Sequence, residues 1–496
     1  MDTAIAPPAR PPLVIERLPV RFGADSRVLI TRPFFPGGAD RVHNVLTRVL
    51  SLSDDEVERV LTDVLASFQH RHRALETVFD EHFHMAAALV GHDSLATRTL
   101  SPSRRRLIGS YFTMEYSLAS AALFNPSIVP HPNQHNVPEG GKRFILSLRA
   151  TGEGHLSSIV FRTGIIHADY TVSMDAPPTI SYRLRKVLDR QYEKKLFWRK
   201  LREMRVEESV TNQVMNLLPD NFTYQELERA LTQFRQHDGD FPPEQALEGI
   251  RWLARENYQL EIPQDMHISQ QVIFPQSDSE SRGIEDLRMV AFRDDDGTTT
   301  YYGTYTAFDG YRILPQIMAT TDLKVMHIHT LNGKCVQNKG MALFPRRVKG
   351  LYCMCGRIDG ENLYIMFSDN VDFWGSAERL RSPVHPWEFM QLGNCGSPLE
   401  TPEGWLLLTH GVGPMRRYCI GAMLLDLNDP LRVRGYLNEP LLMPTEEERE
   451  GYVPNVVYTC GAMLHGDVVF IPYAMSDAAT GFARVSLPRL LDRLLN

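Results

Sequence analysis

Cysteine is scarce in this chain: six residues among 496, Cys335, Cys353, Cys355, Cys395, Cys419 and Cys460. None forms a CxxC pair, so no paired metal-ligand or redox spacing is present. Most lie in apolar runs such as LYCMCGRI and read as reduced, buried thiols that pack as small hydrophobes. Positive charge is not in excess either. Lys and Arg number 53 against 60 Asp and Glu, giving a net charge of −7, which removes the global electrostatic case for nucleic acid as a partner. No run approaches the ~18 uninterrupted apolar residues of a membrane helix. The opening stretch MDTAIAPPARPPLVIERL lacks the basic segment and long apolar run of a secretory signal. The expected location is therefore the cytoplasm. There is no Gly-rich phosphate loop and no metal-binding acid motif, and no metal or organic cofactor is expected.

What the chain does have is an ordinary supply of core material, 43% hydrophobic residues, in two alternating textures. Residues 1–20 read as a flexible Pro-rich tail. Residues 21–122 read as an N-terminal helical extension. In SLSDDEVERVLTDVLASF, Ser53 and Glu56 have capping-box spacing, and Val57, Val60, Leu61, Val64, Leu65 and Phe68 recur at helical intervals. A second helix is expected from about Arg104 to Ala122, ending before the breaker Asn125-Pro126. From residue 123 onward, short apolar runs such as RFILSLRA and SSIVFRTGII alternate with Gly, Pro, Asn and Asp, which are strand and turn signals. Residues 178–258 turn helical again. SYRLRKVLDRQYEKKLFWRKLREM reads as one long basic helix, a solvated face or a partner contact.

A loose repeat runs through the β portion. MATTDLKVMHIH, MFSDNVDFW and LLDLNDPLRV each place an acidic turn near an apolar strand. Their spacing is on the order of 50–60 residues, near that of four-stranded propeller blades. The expected fold is mainly β: a five-bladed β-propeller over 123–496, with a helical insertion at about 178–258. A pair of β-sandwiches is the competing architecture.

A propeller gathers loops from all its blades around one pocket, so polar residues flanking apolar strands are the candidates for chemistry. A polar group buried in such a place must be paired or functional. The candidates are Asn125 and Ser127 in FNPSIV, Arg149 in RFILSLR, Arg162 in VFRTG, and Glu285, Asp286 and Arg288 in GIEDLR. Tyr305 in YYGTYTAFDG, Lys339 in QNKGMALFP, Arg357 after LYCMCG, His410 in WLLLTHGVG and Asp477 in FIPYAMSD complete the set. One or two acids amid several cations suit an anionic ligand bound beside a proton donor.

Several of these segments resemble one family, glycoside hydrolase family 130, the inverting β-mannoside phosphorylases and mannosidases. GIEDLR is similar to that family's GIEDPR, YYGTYTAFDG to YYMTYTAYDG, NKGMALFP to NKDAVLFP, and EGWLLLTHGV to EGWLLIYHGV. IGAMLLDLNDP and VPNVVYTCGA also resemble family segments, and the motif order is kept from about Asn125 to the C-terminus. The resemblance implies a five-bladed propeller with Asp286 as general acid, protonating the leaving oxygen through a sugar hydroxyl. It implies phosphate held by Arg149, Lys339, His410 and Arg357, with Asn125 lining the same pocket and Asp477 binding mannose hydroxyls. Ser127, Arg162, Glu285, Arg288 and Tyr305 are expected to complete the substrate site. Leu287 replaces the family's proline, and Gly340 replaces the acid of NKD.

The implied reaction is phosphorolysis of a β-linked mannoside to α-mannose 1-phosphate, with the oligosaccharide and inorganic phosphate as partners. An inverting β-mannosidase is the alternative, with Glu361 or Glu115 as candidate bases. A non-catalytic glycan- or protein-binding propeller is the alternative of another class. For Asp286 to act as an acid, Arg288 is expected to pair with Glu285. The helical additions are expected to cover propeller edges, narrow the mouth or build a homo-oligomer.

Overall fold

The computed structural model describes residues 13–91, 100–188, 191–237 and 243–496. The protein is mainly β, with helices gathered in two regions and one at the C-terminus. Five sheets of four to six strands carry the β portion. Sheet I is built on Ala122–Pro130, Lys142–Thr151 and Ser157–Ile166, and sheet II on Gly283–Arg293, Thr299–Phe308, Ile313–Thr320 and Val325–Thr330. Sheet III orders Ala342–Leu343, Tyr352–Gly356, Leu363–Ser368 and Glu378–Arg381; sheet IV orders Gln391–Asn394, Gly404–Val412, Tyr418–Leu425 and Val433–Tyr436. Sheet V runs Val457–Tyr458, Val468–Met475, Ala479–Ser486 and then Glu16–Phe22.

The sheets touch in cyclic order. The first strand of sheet II lies against that of sheet I, the strand Ala342–Leu343 of III against II, Gln391–Asn394 of IV against III, and Val457–Tyr458 of V against IV. Strands Val468–Met475 and Ala479–Ser486 of V return to Ala122–Pro130 of I. These strands bury both faces between neighbours, so they read as continuous apolar runs rather than alternating ones. Gly404–Val412 is buried at every residue. The cysteines follow the same logic: all six are free and buried.

Three expectations are corrected here. Residues 16–20, read as part of a flexible tail, belong to a strand that pairs with Ala479–Ser486, with Leu18 opposite Phe482; residues 1–12 lie outside the described residues. An edge strand offers a row of unpaired backbone groups, and the N-terminal segment satisfies it. Among the described residues the extension holds four helices, α1 (Gly38–Leu50), α2 (Asp54–Phe68), α3 (Leu75–Leu89) and α4 (Pro102–Tyr111), and the Ser53–Glu56 capping box opens α2. But α4 stops at Tyr111. Thr113–Ala119 pairs instead with Asp25–Pro33, because Tyr116 and Leu118 alternate onto a buried face.

The third correction concerns 178–258. Tyr182–Arg183 and Arg185–Val187, expected in one long helix, are strands on the free edges of sheets I and II. Helices α5 (Lys194–Glu203), α6 (Glu208–Asn216), α7 (Tyr224–His237) and α8 (Glu244–Glu256) follow. They enclose their own core around Phe197, Phe222, Leu231 and Leu247, and Lys200 Nζ ties them to sheet II by donating to Leu331 O at 2.9 Å.

The N-terminal strand is pinned by Arg17, whose Nε and Nη2 donate to the two oxygens of buried Glu448 at 2.9 and 3.0 Å. Arg17→Met is expected to leave that carboxylate under-satisfied and to cost about 1–3 kcal/mol of stability, read as a lower urea midpoint with an unchanged m-value.

Candidate active site

The first strands of sheets I and II each carry a break in register at the same end of the structure, between Phe124 and Ser127 and between Glu285 and Arg288. In each break one residue is left-handed: Asn125 at φ 49° and Asp286 at φ 56°. Asn and Asp tolerate that region better than other side chains, and an extra residue in a strand re-aims its side chain. The two side chains meet, Asn125 Nδ2 donating to Asp286 Oδ1 at 2.7 Å.

Cations surround this pair. Arg149, on the second strand of sheet I, donates through Nη2 to Glu285 Oε1 at 3.0 Å and through Nη1 to Asp286 Oδ1 at 3.5 Å. Its guanidinium lies 5.2 Å from the Phe124 ring centroid. Lys339 Nζ donates to the other Glu285 oxygen; it follows left-handed Asn338, φ 64°. Buried Arg288 donates to Asp286 O at 3.0 Å and to Tyr458 Oη at 2.7 Å. The expected Arg288–Glu285 pair is thus replaced: Arg149 and Lys339 take Glu285, and Arg288 clamps the backbone of the Asp286 bulge.

A second group extends from Tyr458. Its ring meets His410 edge-on at 5.0 Å. Arg357 Nη1 and Gln391 Nε2 converge on His410 Nε2 at 3.1 and 3.0 Å, while Nδ1 faces Asn394 O at 3.3 Å. With two donors on Nε2, the proton belongs on Nδ1 and the ring is neutral. Burial, then the charges of Arg357 and Arg288, hold His410 well below the usual histidine range. His410 therefore orients Arg357 and is not itself a cation.

The carboxylates divide. Burial alone would raise Asp286, but Arg149, Arg288, the Asn125 hydrogen bond and Lys339 outweigh it and hold the group below its ordinary value. Asp477 moves the other way, pushed up to about 7 by burial and then by the Asp286 charge, against Arg149 and Arg416. Ser476 and Asp477 are both left-handed, at φ 47° and 52°. Near neutrality the site thus pairs an ionised Asp286 with a partly protonated Asp477.

Asn125, Arg149, Glu285, Asp286, Arg288, Lys339, Arg357, His410 and Asp477 are linked into one constellation by these contacts and fields. Three predicted members stand elsewhere. Ser127 is fully buried, its Oγ accepting from Met289 N at 3.0 Å to stitch sheets I and II. Tyr305 is buried and donates to Glu280 Oε1 at 2.9 Å. Arg162 lines a separate cavity with Asp25, Leu123 and Asp175. Of the two candidate bases, Glu115 lies on a strand rather than a helix, and Arg71 and His72 hold it at 3.0 and 2.6 Å. Glu361 is exposed on the turn between two sheet III strands. Sequence reasoning missed Tyr458, Gln391, Asn394 and Arg416. Tyr458 lies in VPNVVYTCGA and was within reach; the others carry no local signal.

Two outcomes follow from this geometry. Tyr305→Phe is expected to cost about 1 kcal/mol of stability while leaving substrate KM unchanged, measured by urea unfolding and steady-state kinetics. A carboxyl with a raised folded pKa adds stability that is complete below its unfolded value near 4 and is lost as pH climbs through about 7. Asp477→Asn is therefore expected to melt higher than the parent above pH 7, with the advantage shrinking as pH falls toward about 4.

A family model described as beta-1,4-mannooligosaccharide phosphorylase matches residues 262–495. A 1,2-beta-oligomannan phosphorylase from Thermoanaerobacter sp. is 34% identical over 227 residues, 44% of this chain and 73% of that protein. A beta-1,2-mannobiose phosphorylase from Listeria innocua is 28% identical over 230 residues, 45% of this chain and 63% of that protein. The solved structure of a Listeria innocua beta-1,2-mannobiose phosphorylase with beta-1,2-mannobiose overlaps 76% of this chain and 93% of its own, at 19% identity and a TM-score of 0.43. At the identity and coverage of the Thermoanaerobacter relative, this chain belongs to glycoside hydrolase family 130 and is an enzyme of the glycoside phosphorylase and hydrolase class.

Proposed function

We propose that this protein is an inverting phosphorylase that cleaves β-linked mannosides with inorganic phosphate to give α-mannose 1-phosphate. The observation that carries the reading is the balance of charge around Asp286. Arg149, Arg288 and Lys339 each contact the Glu285–Asp286 pair, and Arg357 is fixed nearby by His410. An inverting hydrolase needs a second carboxylate free to activate water. Here both Glu285 oxygens are taken by cations, and burial keeps Asp477 partly protonated. Phosphate is already an anionic nucleophile and needs cations to place it.

In this reading a phosphate oxygen attacks the anomeric carbon from the face opposite the leaving group. The C–O bond to the leaving sugar breaks, and its oxygen takes a proton that originates on Asp286 and passes through a sugar hydroxyl. Asp286 is left as the carboxylate, which Asn125 and Arg149 are placed to receive. Before phosphate binds, those same groups keep Asp286 ionised. Phosphate entering the cation cluster adds negative charge beside Asp286 and raises its pKa toward the protonated state. Asp477, holding a proton near neutrality, supplies a donor for a mannose hydroxyl or exchanges that proton with Asp286.

We also propose that the five sheets are the blades of a β-propeller. Their cyclic contacts support it, as does sheet V, where the N-terminal strand joins C-terminal strands and closes the ring. The catalytic unit is then residues 123–496 completed by Glu16–Phe22, with the helical extension and insertion packed outside it.

Pure protein incubated with β-1,2- and β-1,4-linked mannosides is expected to form mannose 1-phosphate only when phosphate is present, followed by NMR. Free mannose at an equal rate without phosphate would overturn the phosphorylase reading. Asp286→Asn is expected to lower kcat by about 10²–10⁴-fold with mannoside binding retained, and Lys339→Ala to raise chiefly the KM for phosphate.

A further inference from the structure

A cavity of about 280 Å³ lies between the N-terminal extension and the outer edges of sheets I and II. Its walls come from the strand Asp25–Pro33, from α3 and the turn before it, and from Ser181–Lys186. Arg73, Arg183, Arg185 and Lys186 line it, against a single carboxylate among the described residues, Glu81. None of the residues assigned to the catalytic constellation takes part. We infer that this cavity is a second anion site that binds a phosphate group.

Arg183 is the centre of the argument. It sits on a two-residue strand held parallel to Gln271–Ile273, with Arg183 opposite Val272. Its guanidinium lies 5.5 Å from the Phe274 centroid. Among the described residues it makes no hydrogen bond and no ion pair. The same ring and Tyr116 also face Arg32, at 5.0 and 4.7 Å, and Arg32 likewise has no carboxylate partner among the described residues. Two guanidinium groups thus share one aromatic ring, and among the described residues neither is ion-paired to a carboxylate. Burial, then the Arg32 charge, depresses Arg183, and Glu81 only partly offsets this.

The other cations do not relieve Arg183. Arg73 is held by Asp265 at 2.7 Å. Lys186 Nζ donates to two carbonyls, Arg255 O at 2.7 Å and Gln276 O at 3.1 Å, and burial holds its pKa below the ordinary lysine value. Arg185 is exposed at the rim. His82, bonded to Thr113 Oγ1 at 2.6 Å, is lowered to about 4 by burial and then by the Arg183 charge, so it is neutral. A partly desolvated guanidinium without a counter-ion is costly. Its planar fork fits two oxygens of a phosphate, and among the described residues Glu81, though it lines the same cavity, makes no ion pair with Arg183. Thr31 and Ser181 add hydroxyl donors to the same wall. A bound phosphate group would join the extension to both sheets at the seam where they meet.

The test is calorimetric titration of the full chain with inorganic phosphate and, separately, with mannose 1-phosphate. The proteins are the parent, Lys339→Ala, Arg183→Gln and Arg185→Ala. In Lys339→Ala, where the catalytic phosphate contact is weakened, one anion-binding event is expected to remain. Arg183→Gln is expected to weaken that event about tenfold or more and to leave kcat at saturating phosphate unchanged. It is also expected to melt no lower than the parent in anion-free buffer, since it removes an uncompensated charge. Arg185→Ala, at an exposed position, is expected to weaken binding several-fold. Retention of only mannose 1-phosphate in Lys339→Ala would make the product the occupant, and retention of inorganic phosphate would make it the co-substrate. Parent-like affinity and stoichiometry for both anions in Arg183→Gln and Arg185→Ala would overturn the inference, as would the absence of any anion binding in Lys339→Ala.

Discussion

Two adjacent carboxylates, Glu285 and Asp286, are held half-buried where two sheets meet, and the structure around them is arranged to make that tolerable. Isolated charges of this kind are expensive to desolvate. Glu285 is neutralised from both sides, by Arg149 of sheet I and Lys339 between sheets II and III. Asp286 is held by Asn125 across the sheet boundary, and its backbone by Arg288, which reaches on to Tyr458 of sheet V. Four of the five sheets or their connections thus contribute to one electrostatic knot.

The knot also explains the strained backbone. Left-handed residues are uncommon outside glycine, yet Asn125, Asp286, Asn338, Arg416, Ser476 and Asp477 all adopt that conformation. Such strain persists only where the surroundings over-determine it, and it gathers at functional sites. Here the surroundings are the cations and the neighbouring inner strands. Asp477, pushed toward neutral by burial and then by the charge of Asp286, shows how desolvation and one fixed ionised group together set the protonation of the next.

The helical additions attach by the same rule of satisfied burial. Fully buried Glu280 accepts from Tyr258, Tyr305 and the Gln276 backbone. Glu256, at the end of α8, accepts from Ser279. These carboxylates lock the helical insertion onto sheet II and recruit Tyr305, which sequence reasoning had placed at the substrate. A tyrosine on an apolar strand gives the same local pattern whether its hydroxyl meets a sugar or a buried glutamate.

Much was legible in the chain alone, because it rests on local chemistry. The Ser53–Glu56 cap, the apolar runs of the inner strands, the buried thiols and the GIEDLR, NKG and LTHG segments each carry their signal within a few residues. Asp286, Arg149 and Lys339 were singled out that way. Other features depend on contacts between residues far apart in sequence, and only the tertiary structure decided them. Thr113–Ala119 is a strand because Asp25–Pro33 lies beside it, and Glu16–Phe22 is ordered because the last sheet has an open edge. Arg288 holds backbone rather than Glu285, whose two oxygens are taken by Arg149 from another sheet and by Lys339. His410 is neutral because Arg357 and Gln391 both point at one nitrogen. Residue type and spacing determined which groups could do chemistry; the desolvation and pairing imposed by packing determined which of them carry charge, and where.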